Sequence, residues 1–114
     1  MECTETPTTE AEVAAFVQEA RAAQQSIEIR GGGTRRALGR PVQTARMLDL
    51  SKLHGISLYE PGALTMVVTA GTPLAEVNAA LAAEGQRLSF EPMDHRGLLG
   101  SQGEPTIGAV VACN

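Results

Sequence analysis

The run Ile27-Glu-Ile-Arg-Gly-Gly-Gly-Thr34 sets three consecutive glycines directly after a short β-type segment, with Arg30 and Thr34 at either side. Bare backbone in that position suits anion binding. Glycine lacks a Cβ, so Gly31, Gly32 and Gly33 can take positive φ and turn several amide N–H groups toward one phosphate; Arg30 adds a charge and Thr34 a hydroxyl. On these residues alone such a run is more often a flexible turn after a strand. Two other phosphate signatures are excluded. A Walker loop needs Gly-Lys-Ser/Thr, and Lys52, the only lysine, follows a serine. The dinucleotide fingerprint needs a third glycine where Arg36 stands.

Around this loop the charge is uneven. The 114 residues carry a net charge of −4 with a pI near 5.1, which argues against nucleic acid as a partner. Arg30, Arg35, Arg36, Arg40 and Arg46 nevertheless cluster, a pattern that fits a patch for a small anionic ligand or a solvated loop with scattered charges. Aromatic residues make up only 3%, so base stacking has little to use. Cys3 and Cys113 stand far apart without metal or redox spacing, so no metal site is expected and a reducing compartment is. The acidic, polar stretch from Met1 to Glu12 lacks the features of a signal peptide, and no apolar run is long enough to span a bilayer. A cytoplasmic location follows, with docking at a membrane possible only through partners.

The elements that must position the loop can be placed from pattern. Thr9-x-x-Glu12 is a capping box, and Val13, Phe16, Val17 and Ala20 recur at helical spacing up to about Gln24. Ile27 to Arg30 and Met47 to Leu50 read as strands. Ile56 to Tyr59 and Leu64 to Ala70 read as a hairpin around Glu60-Pro-Gly62. Thr72 is the expected N-cap of a second helix, with Pro73 at its first position, Leu74, Val77, Ala80 and Leu81 as its stripe, and Gly85 at its end. Arg87 to Phe90 reads as a brief strand, and Glu91 to Pro105 as a long loop of the kind that carries function or is disordered. Thr106 to Asn114 is small and apolar, a short helix that either lets a flat ligand approach or is simply buried. Breaking off on such residues, the chain is expected to be a fragment.

Three separated segments together carry a family resemblance: Arg30-Gly-Gly-Gly-Thr34, Val67-Val-Thr-Ala-Gly-Thr-Pro-Leu-Ala-Glu-Val77 and Thr106-Ile-Gly-Ala-Val-Val-Ala-Cys-Asn114. They resemble the PCMH-type FAD-binding domain of the vanillyl-alcohol oxidase and p-cresol methylhydroxylase superfamily. Phe90-Glu-Pro-Met-Asp-His-Arg96, Leu98-Leu-Gly100 and Gly103-Glu-Pro-Thr-Ile-Gly108 are similar to the FAD-binding subunits of bacterial glycolate oxidases. The resemblance implies an α+β fold, an N-terminal α/β subdomain plus the start of a second, truncated at Asn114. Residues 1–9 would be an N-terminal tail and 10–114 the partial domain.

The same resemblance implies which residues meet the cofactor. Gly31, Gly32, Gly33 and Thr34 would hold the FAD pyrophosphate, Pro92 and Asp94 would lie along the cofactor, and Gly103, Thr106 and Gly108 would lie near its pyrophosphate or isoalloxazine. Two departures from the family pattern matter. Ala109 stands where a second glycine is common, adding a methyl. Gly33 and Thr34 stand where some relatives carry a histidine that tethers the flavin, which implies non-covalent FAD. His95 and His54 read as hydrogen-bonded loop and turn residues, Asp94 and Arg96 as a local pair, and no residue of the chain as catalytic. The implied activity is oxidation of a small 2-hydroxy acid, glycolate to glyoxylate. The implied partners are a second flavoprotein subunit and an iron–sulfur subunit, which could hold the protein peripherally at the inner membrane. The alternative is a non-catalytic nucleotide-binding or assembly module of the same fold.

Overall fold

The computed structural model describes residues 3–113. Met1 and Glu2 of the expected tail, and Asn114 at the expected break, lie outside the described residues. The chain order is β1 (Cys3–Glu5), α1 (Glu10–Ala22), β2 (Ile27–Arg30), β3 (Arg46–Asp49), β4 (Ile56–Glu60), a 3-10 turn (Pro61–Ala63), β5 (Thr65–Val68), α2 (Leu74–Ala83), α3 (Arg96–Leu99) and α4 (Ile107–Cys113). Helices and two separate sheets make an α+β fold.

The first sheet is parallel, in the order β1-β3-β2, with Ile27 to Arg30 in register against Arg46 to Asp49. β1 and β2 run parallel on either side of β3, and α1 supplies the crossover that connects them. The expected capping box forms, with a shift. Thr9 Oγ1 accepts from the Glu12 N–H at 3.2 Å, but the Glu12 carboxylate reaches back to the Thr8 N–H at 2.8 Å rather than to Thr9. Phe16 and Ala20 are buried, whereas Val17, counted in the apolar stripe, is exposed. Residues 3–5, expected in a tail, form a strand because β3 offers them a free edge: Cys3 to Glu5 align with Arg46 to Leu48. The sheet is stitched to α1 by Arg46, which is buried on β3. Its guanidinium lies 4.3 Å from the Phe16 ring centroid and bonds Glu19 at 3.1 Å.

The second sheet is the expected hairpin, β4 antiparallel to β5, and its core lies against α2 and α4. Val77, Leu81, Ile107 and Val110 are buried there, with Tyr59, Met66, Val68, Leu74 and Leu88 around them. Each of the four buried side chains contributes roughly 1.5–3 kcal/mol by leaving water. Residues 87–90, expected as a strand, form none. The neighbouring Gln86 instead bonds the hairpin through its side chain, Nε2 donating to Pro61 O at 2.8 Å and Oε1 accepting from Tyr59 at 2.5 Å. The expected loop 91–105 contains one turn of helix, α3.

Thr72 is not the N-cap of α2; Pro73 holds that position and makes no side-chain cap bond. Thr72 is fully buried, and its hydroxyl accepts from the Gly55 N–H at 2.9 Å. Its backbone helps join α2 to α4. Ile107 N donates to Thr72 O at 3.0 Å, Leu74 N to Pro105 O at 2.7 Å and Gly108 N to Ala70 O at 2.9 Å. Replacing Thr72 by Val keeps the shape and strands the Gly55 N–H, so the substitution should cost about 1–3 kcal/mol in a urea denaturation of the purified protein. An unchanged midpoint would mean that Gly55 finds another acceptor.

Candidate functional site

β2 ends at Arg30, and the glycine loop turns away from the sheet with Gly33 in the left-handed region at φ 74°. Among the described residues, the amide N–H groups of Gly31, Gly32, Gly33 and Thr34 donate to no protein acceptor. Backbone donors without a partner are rare unless water or a ligand takes them, so this loop presents a run of fixed partial positive charge. It borders a cleft of about 220 Å³ that Arg35, Arg36, Thr106, Ala109 and Cys113 also line. On its other side Gly31 and Gly32 border a second cleft of about 280 Å³, with Asp49, Ser51 and Gly103.

The loop is closed from above by residues 101–106. A Cβ on Gly31 would stand 2.3 Å from Thr106 Oγ1, and one on Gly32 would stand 1.8 Å from Glu104 O. The two glycines are therefore required by the protein's own chain, whatever they also do for a ligand. A Cβ on Gly103, at φ 101°, would stand 2.6 Å from Gly32 O, and Ser101 Oγ donates to Thr34 O at 2.7 Å. The close approach that these small residues permit is between segments of the protein's own chain.

The expected site residues fall into three groups. Gly31, Gly32, Gly33, Thr34 and Thr106 meet on the first cleft, and Gly103 joins Gly31, Gly32 and Thr106 on the second. Gly108 packs against Ala70, where a Cβ would stand 2.7 Å from the alanine Cβ. Pro92 and Asp94 line neither cleft. Ala109, the departure from the family pattern, places its residue on the first cleft. His95 turns back to its own loop, Nδ1 lying 3.1 Å from Met93 O, and His54 pairs with Glu76.

The arginine cluster is mostly neutralised. Arg30 bonds Asp49 at 3.0 Å, Arg36 bonds Glu28 through two nitrogens, and Arg46 is turned to α1; among the described residues Arg35 and Arg40 form no ion pair. Burial works to raise the Asp49 carboxyl, but the Ser51 N–H and hydroxyl together with Arg30 outweigh it and hold the group below its ordinary value. Asp94 is lowered further, to about 2, by the Arg96 side chain and backbone N–H. Ser101, Arg96 and Cys113 carry no sequence signal of a role at this site: a serine, a loop arginine and a lone cysteine are ordinary surface residues until the chain folds over the glycines.

A sequence profile of the family described as FAD binding domain matches residues 1–112. Glycolate oxidase subunit GlcE of Escherichia coli (strain K12) is 38% identical over 97 residues, which cover 85% of this chain and 26% of that protein. The chain thus spans about a quarter of the curated relative's length. Among solved structures, GilR, an oxidoreductase that catalyses the terminal step of gilvocarcin biosynthesis, aligns with a TM-score of 0.63 at 25% identity over 81% of this chain and 19% of its own. Aclacinomycin oxidoreductase aligns with a TM-score of 0.63 at 24% identity over the same shares, a likeness of fold.

Two outcomes follow from the loop geometry. Gly33→Ala meets only the Arg30 side chain and carries the left-handed strain of about 1–2 kcal/mol. Gly32→Ala must push the Glu104 carbonyl away and should destabilise the protein more, read as a lower urea midpoint; the reverse order would refute the contact. The Asp94 carboxyl, lowered from 3.8, favours the folded pair above its ordinary range and loses that contribution as pH falls through about 2. A carbon-detected NMR titration of Asp94 should show that low midpoint in the native protein and one near the usual carboxylate range in Arg96→Gln.

Proposed function

Because this chain belongs to the FAD binding domain family, with FAD as its cofactor, we propose that it is the FAD-binding part of an oxidoreductase subunit that converts a small 2-hydroxy acid, glycolate, to its 2-oxo acid, glyoxylate. The observation that carries the reading is the run of unpartnered amides from Gly31 to Thr34 on a cleft beside Arg35. The substrate rests on the likeness to glycolate oxidase subunit GlcE. That likeness also supports assembly with further subunits, for which a second flavoprotein and an iron–sulfur protein are the candidates. Among the described residues no helix is long and apolar enough to cross a membrane.

The residues present fit the cofactor. The amides of Gly31, Gly32, Gly33 and Thr34 would bind the pyrophosphate oxygens, with Arg35 adding positive charge and Thr106 and Ala109 forming the opposite wall. When bound, FAD supplies the acceptor for the hydride equivalent that leaves the hydroxyl-bearing carbon. The chain's part is binding, orientation and fixed charge, and no side chain in it is assigned to proton transfer. The loop carries neither histidine nor cysteine, which supports non-covalent attachment. Cys113 borders the same cleft, so release on denaturation is the decisive check.

A second reading, a nucleotide-binding or assembly module of the same fold, is favoured by Ala109 on the cleft wall. One experiment separates the two. The full-length protein, loaded with FAD and desalted, should show a flavin absorbance spectrum, release the flavin on denaturation, and bleach when glycolate is added without oxygen. Flavin that is retained but never bleached by glycolate or other 2-hydroxy acids would overturn the oxidase reading and leave the module.

A further inference from the structure

Between the hairpin core and α4, the chain from Glu91 to Pro105 has one short helix, and one side chain closes it on itself. Arg96 donates from Nε to both Asp94 carboxylate oxygens, at 3.0 and 3.2 Å, and from Nη2 at 2.9 Å. The Arg96 N–H adds a bond to Asp94 Oδ1 at 3.0 Å. On the other side of the guanidinium, Nη1 donates to Gly103 O at 3.2 Å and lies 3.8 Å from Glu104 Oε1. Gly103 and Glu104 are the two residues whose backbone abuts Gly32.

We propose that Arg96 is a positioning residue for the FAD cradle: it latches residues 103–104 to Asp94 and thereby holds them over the glycine loop. The pair is exposed on the surface and adds little to global stability. Its effect falls on the loop, whose opening would free Gly32 and leave the amide run to be ordered by the ligand itself. Arginine is suited to this because its planar fork engages the carboxylate and a carbonyl at once, which a lysine ammonium does not reproduce. The inference rests on FAD binding at Gly31 to Thr34, and it concerns order in the cradle rather than contact with the cofactor.

The test is FAD affinity of the full-length protein, measured by flavin fluorescence, for Arg96→Gln, Arg96→Lys and Asp94→Asn, beside the melting temperature of each apoprotein. A latch makes all three weaken FAD by about tenfold, the cost of ordering a loop on binding, with apoprotein melting unchanged. The double variant Asp94→Asn with Arg96→Gln should then be no worse than either single change. An Arg96 that acts as a direct cation for phosphate makes the opposite prediction: Arg96→Lys keeps affinity and Asp94→Asn tightens it. Either of those results, or unchanged affinity in all variants, overturns the latch, as does a fall in melting temperature that tracks the loss of affinity. Should Arg96→Gln fail to fold, Asp94→Asn carries the same test. If the native protein takes up no FAD, the glycine-loop reading falls and the latch with it; if the native protein binds and the variants match it, the latch alone falls.

Discussion

Two places where backbone meets backbone without room for a side chain hold this molecule together. Glu104 O lies where a Gly32 Cβ would be, and Leu50 O lies where a Gly71 Cβ would be, each at 1.8 Å from the ideal position. The hairpin, α2 and α4 share an apolar core drawn entirely from residues 59–110, and the parallel sheet contributes no member of it. The two parts are therefore set against each other by carbonyl and glycine rather than by interdigitated side chains. Such contacts tolerate no drift, since a methyl cannot be accommodated by a rotamer change. The cradle lies at one of them, so its geometry is inherited from the junction of the two sheets.

The electrostatics follow from the same economy of side chains. In an acidic chain with a net charge of −4, Arg35 alone of the arginines on the glycine-loop cleft makes no ion pair among the described residues. Arg30, Arg36 and Arg46 are each tied to a carboxylate, and these pairs hold β2, the loop after it and α1 in place. The positive potential that remains comes largely from oriented N–H groups, which need no counter-ion and undergo no rotamer averaging. Basic residues in the sequence thus mark the neighbourhood of the site while acting mainly as its scaffold.

Much of the fold is legible in the sequence because local signals and tertiary structure agree. Thr9 and Glu12 announce α1, Pro61 and Gly62 the hairpin turn, and Gly85 the end of α2. The position of the glycine loop is legible too, since Gly31-Gly-Gly33 interrupts the chain directly after the β-type run of β2. What stays hidden depends on partners distant in sequence. Cys3 to Glu5 have no strand pattern of their own and pair only because β3 exposes an edge. Thr72 has the chemistry of a helix cap, but the half-buried Gly55 N–H competes for its hydroxyl and wins. Residues 87–90 have strand composition and no ladder to join. The role of Gly31 and Gly32 as seats for Thr106 and Glu104 is likewise invisible until the chain returns.

That return has a consequence for how the protein comes into being. Ser101 bonds Thr34 across 67 residues, and the closing segment reaches Thr106. On a ribosome the glycine loop emerges long before the residues that cover it, and loop closure over such a span carries an entropic cost that local helices and the hairpin do not face. The parallel sheet and the hairpin can each form early, while the cradle completes last. A cofactor held at the glycine loop would favour the closed arrangement, so its supply would act by mass action on the final step of folding. A cell short of flavin would accumulate chains that are folded in their parts and open at the seam between them.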